Sequence, residues 1–265
     1  MSTNRIENRM NALKDKGEKA FITYITAGLP SMEATKEIIK AQNGITDVIE
    51  LGIPFSDPIA DGPVIQQASY EAIINGASLR KTFELMAEIR AEGIEQPIVF
   101  MMYYNTVVNY GIEAFVSKCH EVGVDGLIIP DLPMEEQESL KKALENDDKT
   151  LLLQLVSPVS KDRIPQILDG ARGFVYCVSS MGVTGQSATF HKEVINYLKY
   201  VKEKSSIPVM MGFGIRTAKD VEPMKDIIDG AIVGSYFINL MRDNDFNPEA
   251  AGKYATEFKK ELNSL

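Results

Sequence analysis

Eight short, continuously apolar runs punctuate the chain, and between them apolar residues recur at helical spacing. The runs fall at residues 20–27 (AFITYITA), 47–52, 97–104 (PIVFMMYY), 126–129, 151–156 (LLLQLV), 173–178 (GFVYCV), 208–211 and 230–233. Continuous rather than alternating hydrophobicity predicts strands buried on both faces, as in a parallel sheet. The intervening segments predict helices over 63–74, 79–91, 111–121, 162–168, 191–204, 218–228 and 248–263, with others beginning after Ser31, which can cap the first of them, and after Pro133. The polar N-terminus, MSTNRIENRMNALKDKGEKA, reads as an amphipathic helix.

Eight strand–helix units in 265 residues predict an α/β protein with one domain over 1–265. The expected architecture is a TIM (β/α)8 barrel with an extra N-terminal helix and an extra helix, 63–74, after the second strand. A doubly wound open sheet is the alternative, but no GxGxxG follows the first strand. No linker, low-complexity tract or charge block marks a second domain.

Composition narrows the partners. A net charge of −9 and a pI near 4.9 argue against nucleic acid or an anionic membrane surface. No apolar run approaches the ~18 residues of a membrane span, and no signal-peptide pattern opens the chain, so a cytoplasmic location is expected. Cys119 and Cys177 lie far apart in apolar contexts and read as buried, reduced thiols.

In a barrel the loops that follow the strands form the active face. The second such loop stands out: residues 50–63 read ELGIPFSDPIADGP, where Pro and Gly forbid further strand and Pro63 suits the first turn of a helix. Glu50 therefore lies near the end of a buried strand, with Asp57 and Asp61 on the loop that leaves it and Asp131 after the fourth strand. No lysine ends a strand, which disfavours a Schiff-base aldolase. The only histidines, His120 and His191, fall on predicted helices, so no metal site is expected. Carboxylate acid–base chemistry remains. Each carboxylate has a bland competitor: Glu50 paired with a loop N–H, Asp61 capping the helix at Pro63. Tyr24, Tyr103, Tyr104, Tyr176 and Phe213 lie near strand ends, as pocket walls or as barrel core. The last three loops carry Gly182 and Gly185, Gly212 and Gly214, and Gly234 with Ser235. Converging backbone N–H groups and a helix N-terminus there predict a phosphate site, with Ser235 as a plain helix cap the competing reading.

ELGIPFSDPIADGPVIQ, then MGVTG, GFGI and VGS in this order, resemble the tryptophan synthase alpha subunit family over essentially the whole chain. The resemblance implies a TIM barrel that cleaves indole-3-glycerol phosphate to indole and glyceraldehyde 3-phosphate. By the match, Glu50 and Asp61 correspond to the family's catalytic carboxylates. Tyr176 and Phe213 match its substrate-contacting rings, and Thr184 the threonine that meets the aspartate when two mobile loops close. Gly185, Gly214, Gly234 and Ser235 match its phosphate-binding positions. The resemblance also implies a beta subunit as partner, in an alpha2–beta2 heterotetramer. Pyridoxal phosphate is expected only in that partner and no cofactor in this chain. Pro54, Phe55, Ser56, Asp57, Pro58 and Asn105 fall in segments the family uses at the interface. Ser180-Met181 precede GVTG where some members have Arg-Ser, a departure that bears on closure of that loop.

The residues and the reaction agree chemically. Without a Schiff base or metal, a retro-aldol cleavage needs a sink in the substrate, and a C3-protonated indole is one. Glu50 is expected to protonate C3, from an apolar pocket that raises its pKa, and Asp61 to hold the indole N–H. Competing readings are a stand-alone indole-releasing lyase, a sugar-phosphate isomerase on the same barrel, and a non-catalytic phosphate-binding regulatory subunit.

Overall fold

The computed structural model describes residues 4–145, 149–178, 192–212 and 214–265. Nine parallel strand segments form one sheet: β1 (Ala20–Thr26), β2 (Val48–Gly52), β3 (Ile98–Met101), β4 (Gly126–Ile128), β5 (Leu151–Leu152), β6 (Gln154–Val156), β7 (Val175–Cys177), β8 (Val209–Met211) and β9 (Gly230–Val233). Their order is β5-β4-β3-β2-β1-β9-β8-β7-β6. Only Leu153 separates β5 from β6, so the two ends of this order meet and eight staves close a TIM barrel. The run 151–156 thus divides in two. Its first half ladders with β4 and its second with β7, because each stave meets its neighbours at different heights. The same stagger appears on β1, which pairs with β9 through Ala20 to Thr23 and with β2 through Ile22 to Thr26.

Continuous hydrophobicity follows from burial on both faces. Ile22, Val48, Val99, Ile128, Met210 and Ile232 fill the barrel interior. Their sequence neighbours Phe21, Ile49, Ile98, Leu127, Val209 and Ala231 pack outward under the helices. The helix Arg5–Lys16 places Ile6, Met10 and Leu13 in the inner cluster, plugging the N-terminal end. Asn4 caps that helix through the Ile6 N–H at 2.9 Å and donates to the Asp125 and Lys149 carbonyls at 2.8 and 2.7 Å.

The helices Pro63–Ile74 and Leu79–Ala91 have the bounds read from the sequence. The third strand does not. It ends at Met101, and Tyr104–Tyr110 is helical; the Tyr104 N–H, which has no carbonyl partner within that helix, is taken by the Asp131 carboxylate at 2.9 Å. A separate nine-residue helix, Ser235–Asp243, follows β9 before the last helix, Pro248–Leu262. The segment 218–228 is shorter and tighter than expected, a 3-10 turn over Ala218–Met224 with Pro223 inside it. Cys119 and Cys177 are buried free thiols.

Candidate active site

Among the described residues, three buried carboxyl side chains lie in or just before β2 and β4, and they divide by end of the barrel. Asp47, before β2, accepts from the Phe21 N–H at 2.6 Å, Arg9 at 2.8 Å and Lys259 at 2.9 Å. Asp125, before β4, is met by Arg90 at 2.7 Å, Arg5 at 3.0 Å and the Ile98 N–H at 2.8 Å. Both lie at the plugged end with every demand satisfied. Glu50, the third residue of β2, faces the open end. It is 1% exposed, and neither carboxylate oxygen has a hydrogen-bond partner among the described residues. An unpaired buried carboxylate would forfeit several kcal/mol, about the burial penalty of an isolated ion, and the group avoids this by holding its proton. Burial, helped by the charge of Asp61, pushes the Glu50 carboxyl up to about 8. The loop-N–H pairing that competed for Glu50 is absent among the described residues.

Asp61 reaches the same space from the loop after β2. Pro58 accepts its backbone N–H at 3.0 Å, and Gln66 donates to its carbonyl at 2.9 Å. Its carboxylate accepts from the Tyr103 hydroxyl at 2.9 Å, and that hydroxyl in turn accepts from the Ala60 N–H at 2.9 Å. Burial raises the Asp61 carboxyl to about 6, against the Tyr103 hydrogen bond, which lowers it. The helix that follows is capped at Gly62 with no side-chain cap, so Asp61 is not a helix cap. Tyr103 was legible only as a pocket wall. Its bond to Asp61 spans 42 residues, and no local spacing signals it.

These groups open onto a cavity of about 940 Å³ at the C-terminal mouth of the strands. Tyr24 and Tyr176 wall it, each lying on a glycine of the next stave. A Cβ on Gly52 would fall 2.0 Å from the Tyr24 hydroxyl, and one on Gly212 2.3 Å from that of Tyr176. Gly214, in left-handed backbone at φ 65°, Gly234 and Ser235 line the same cavity. Gly234 is the N-cap residue of Ser235–Asp243 without a side-chain cap, and the Ser235 hydroxyl is buried with no partner among the described residues. The cap reading of Ser235 therefore fails, and its hydroxyl, without a partner among the described residues, stands at the N-terminal end of this helix.

The cavity thus gathers Glu50, Asp61, Tyr176, Gly214, Gly234 and Ser235. Asp131 and Asp57 are not among its lining residues: Asp131 is spent on the Tyr104 N–H, and Asp57 is exposed on the loop. Ser56 and Asp57 are exposed, Pro54, Phe55 and Pro58 half-buried, and Phe55 stacks on Tyr103 with ring centroids 5.0 Å apart. Asn105 is exposed on the helix Tyr104–Tyr110. Thr184, Gly185, Phe213 and the Ser180-Met181 pair lie outside the described residues. No group of three or more metal-ligating side chains occurs among the described residues.

A family model described as tryptophan synthase alpha chain matches residues 10–265. The chain belongs to the tryptophan synthase alpha chain family. Its relatives in that family include the tryptophan synthase alpha chain of Lachnospira eligens, 62% identical over 264 residues that cover 98% of this chain and 100% of the relative. That of Alkaliphilus metalliredigens is 45% identical over 235 residues, 88% of each chain. Among solved structures, tryptophan synthase subunit alpha from Legionella pneumophila superposes with a TM-score of 0.89 at 31% identity, covering 100% of both chains. A chain of the tryptophan synthase complex from Pyrococcus furiosus gives a TM-score of 0.81 at 31% identity, covering 94% of this chain and 99% of that one. The family barrel and the closed sheet described above are the same architecture.

Proposed function

We propose that Glu50 and Asp61 are the acid–base pair of this family's reaction, the cleavage of indole-3-glycerol phosphate to indole and glyceraldehyde 3-phosphate in tryptophan biosynthesis. The reaction is a carbon–carbon lyase step. The observation that carries the assignment is the Glu50 carboxyl: buried, unpartnered among the described residues and raised to about 8, so that it holds a proton at neutral pH. Glu50 gives that proton to indole C3, and the ring becomes a cation. Asp61, ionised above about 6, accepts a hydrogen bond from the indole N–H and stabilises the charge. The Glu50 carboxylate then takes the proton of the glycerol hydroxyl next to the ring. The carbon–carbon bond breaks, its electrons return to the indole, and the hydroxyl carbon leaves as an aldehyde.

Tyr176 and Phe213 hold the indole in this reading, and Gly185, Gly214, Gly234 and Ser235 the phosphate. Thr184 meets Asp61 when the loops close. A beta subunit docks on the segment Pro54, Phe55, Ser56, Asp57 and Pro58 and on Asn105, in an alpha2–beta2 assembly whose pyridoxal phosphate resides in the partner alone. The chain acts as a single cytoplasmic barrel domain. Among the described residues, no helix is long and apolar enough to cross a membrane.

The deciding experiment is indole release from indole-3-glycerol phosphate with and without a cognate beta subunit. Slow release alone and faster release with the partner is the expected result. Equal, fast release in both would assign a stand-alone lyase, and none from folded protein would overturn the reading.

A further inference from the structure

Among the described residues, the cavity is lined by two carboxylates, Glu50 and Asp61, and a single cationic residue, Arg216. Arg216 lies two residues beyond Gly214, in the loop after β8. Its backbone is committed: the N–H donates to Asp220 at 2.9 Å, and the carbonyl accepts from the Tyr254 hydroxyl at 2.8 Å. Its side chain is not. Seven other arginines, at 5, 9, 80, 90, 163, 172 and 242, each pair with a carboxylate. Arg216 makes no ion pair or side-chain hydrogen bond among the described residues, and it is exposed at the cavity.

The chemistry of the site gives this guanidinium something to do. A phosphate ester carries about −1.5 to −2 charge at pH 7. A helix N-terminus offers the equivalent of roughly +0.5. Glu50 is neutral at pH 7, but ionised Asp61 repels the same ligand, and the whole chain is at −9. Gly214, Gly234 and the unpartnered Ser235 hydroxyl supply neutral donors. Asn239, four residues past Ser235 and so on the same helix face, adds a neutral amide to the lining. None of these supplies a full positive charge.

Resting on the reaction assigned above, we propose that Arg216 is the cationic clamp on the substrate's phosphate, pairing with an oxygen that the backbone and Ser235 donors leave free. A clamp remote from the scissile bond grips substrate and transition state equally, so its loss falls on KM rather than kcat. Charge-assisted bonds are strong, but an exposed guanidinium is screened, so the expected rise in KM is about threefold to twentyfold.

The test compares Arg216→Ala, Arg216→Lys and, as a charge control away from the cavity, Lys219→Ala, each in complex with the beta subunit. Alanine keeps both backbone bonds of residue 216, so folding is retained. Two readouts are taken: KM and kcat for indole-3-glycerol phosphate, and calorimetric affinity for inorganic phosphate. The proposal expects Arg216→Ala to raise KM and weaken phosphate binding, Arg216→Lys to recover part of both, and Lys219→Ala to change neither. Unchanged values in Arg216→Ala, or an equal effect in Lys219→Ala, would overturn it. A failure of the reaction itself is distinguishable. The wild type would then release no indole, while the phosphate titration would still report whether Arg216 holds the anion.

Discussion

The Tyr103 hydroxyl donates to the Asp61 carboxylate at 2.9 Å, while the Tyr103 ring stacks on Phe55 at 5.0 Å. One side chain thus joins the carboxylate assigned to the indole N–H and the loop assigned to the partner. The bond favours ionised Asp61, opposing the burial that raises its carboxyl to about 6. Tyr103→Phe removes that opposition, so the Asp61 pKa rises further. The acidic limb of kcat/KM against pH is expected to move to higher pH, with the alkaline limb little changed. An unmoved acidic limb would dissociate Asp61 from that limb.

The wild-type profile should itself be bell-shaped. Glu50 must be protonated, which holds below about 8, and Asp61 ionised, which holds above about 6, so activity peaks near neutrality. The two groups interact, so the limbs report values of the pair rather than of either residue alone. A profile flat from pH 5 to about 9 would contradict the acid–base assignment.

Glu50→Gln should lower kcat by at least the roughly 10²–10⁴-fold typical of a lost general acid–base, with the fold intact by circular dichroism. Turnover near that of the wild type would remove Glu50 from the mechanism.

The same substitution should change stability with the opposite sign. The folded pKa of Glu50, about 8, lies above its unfolded value, so between the two the native state binds more protons. The contribution of Glu50 to stability therefore declines as pH rises from about 4.5 to about 8 and levels off above that. Glu50→Gln has no charge to bury and should be the more stable protein at pH 9, by on the order of a few kcal/mol. Denaturant midpoints at pH 5 and pH 9 measure this. A difference that does not grow with pH would show that Glu50 ionises freely in the folded protein.

Gly212→Ala would set a methyl group 2.3 Å from the Tyr176 hydroxyl, against the wall of the cavity. The ring must shift, at about 1–3 kcal/mol of stability, and the cavity changes shape with it. A lowered melting temperature together with a raised KM is expected. A neutral result would mean that Tyr176 does not depend on Gly212 for its place.

Much of this architecture was legible because a barrel strand is buried on both faces and writes an unbroken apolar run, as at 20–27 and 230–233. The run 97–104 misled for the same reason. Met102 and Tyr103 are as buried as strand residues, but they lie in the bend that takes the chain from β3 into the helix Tyr104–Tyr110. Burial, not strand conformation, is what the pattern records. The division at Leu153 left no trace either, because stagger between staves is a property of the closed sheet. At the site, Glu50 and Asp61 were legible from a stretch rich in Pro and Gly, and Ser235 from three glycine loops. The separation of Asp61 from Asp57 and Asp131 was not, because it depends on Tyr103 and on the Tyr104 N–H, partners distant in sequence. Arg216 carried no motif at all. Its distinction is the lack of a carboxylate partner among the described residues, visible only once the other arginines are seen paired.

The plug formed by Ile6, Met10 and Leu13 has a consequence for traffic. With one end of the barrel filled by side chains, diffusion into and out of the cavity runs through the opposite rim, where the loops after β2 and β8 stand. Arrival of substrate and departure of both products share that doorway. A macromolecule seated on the rim would therefore govern escape as well as entry, and a small apolar product would leave by whatever passage the seated body provides.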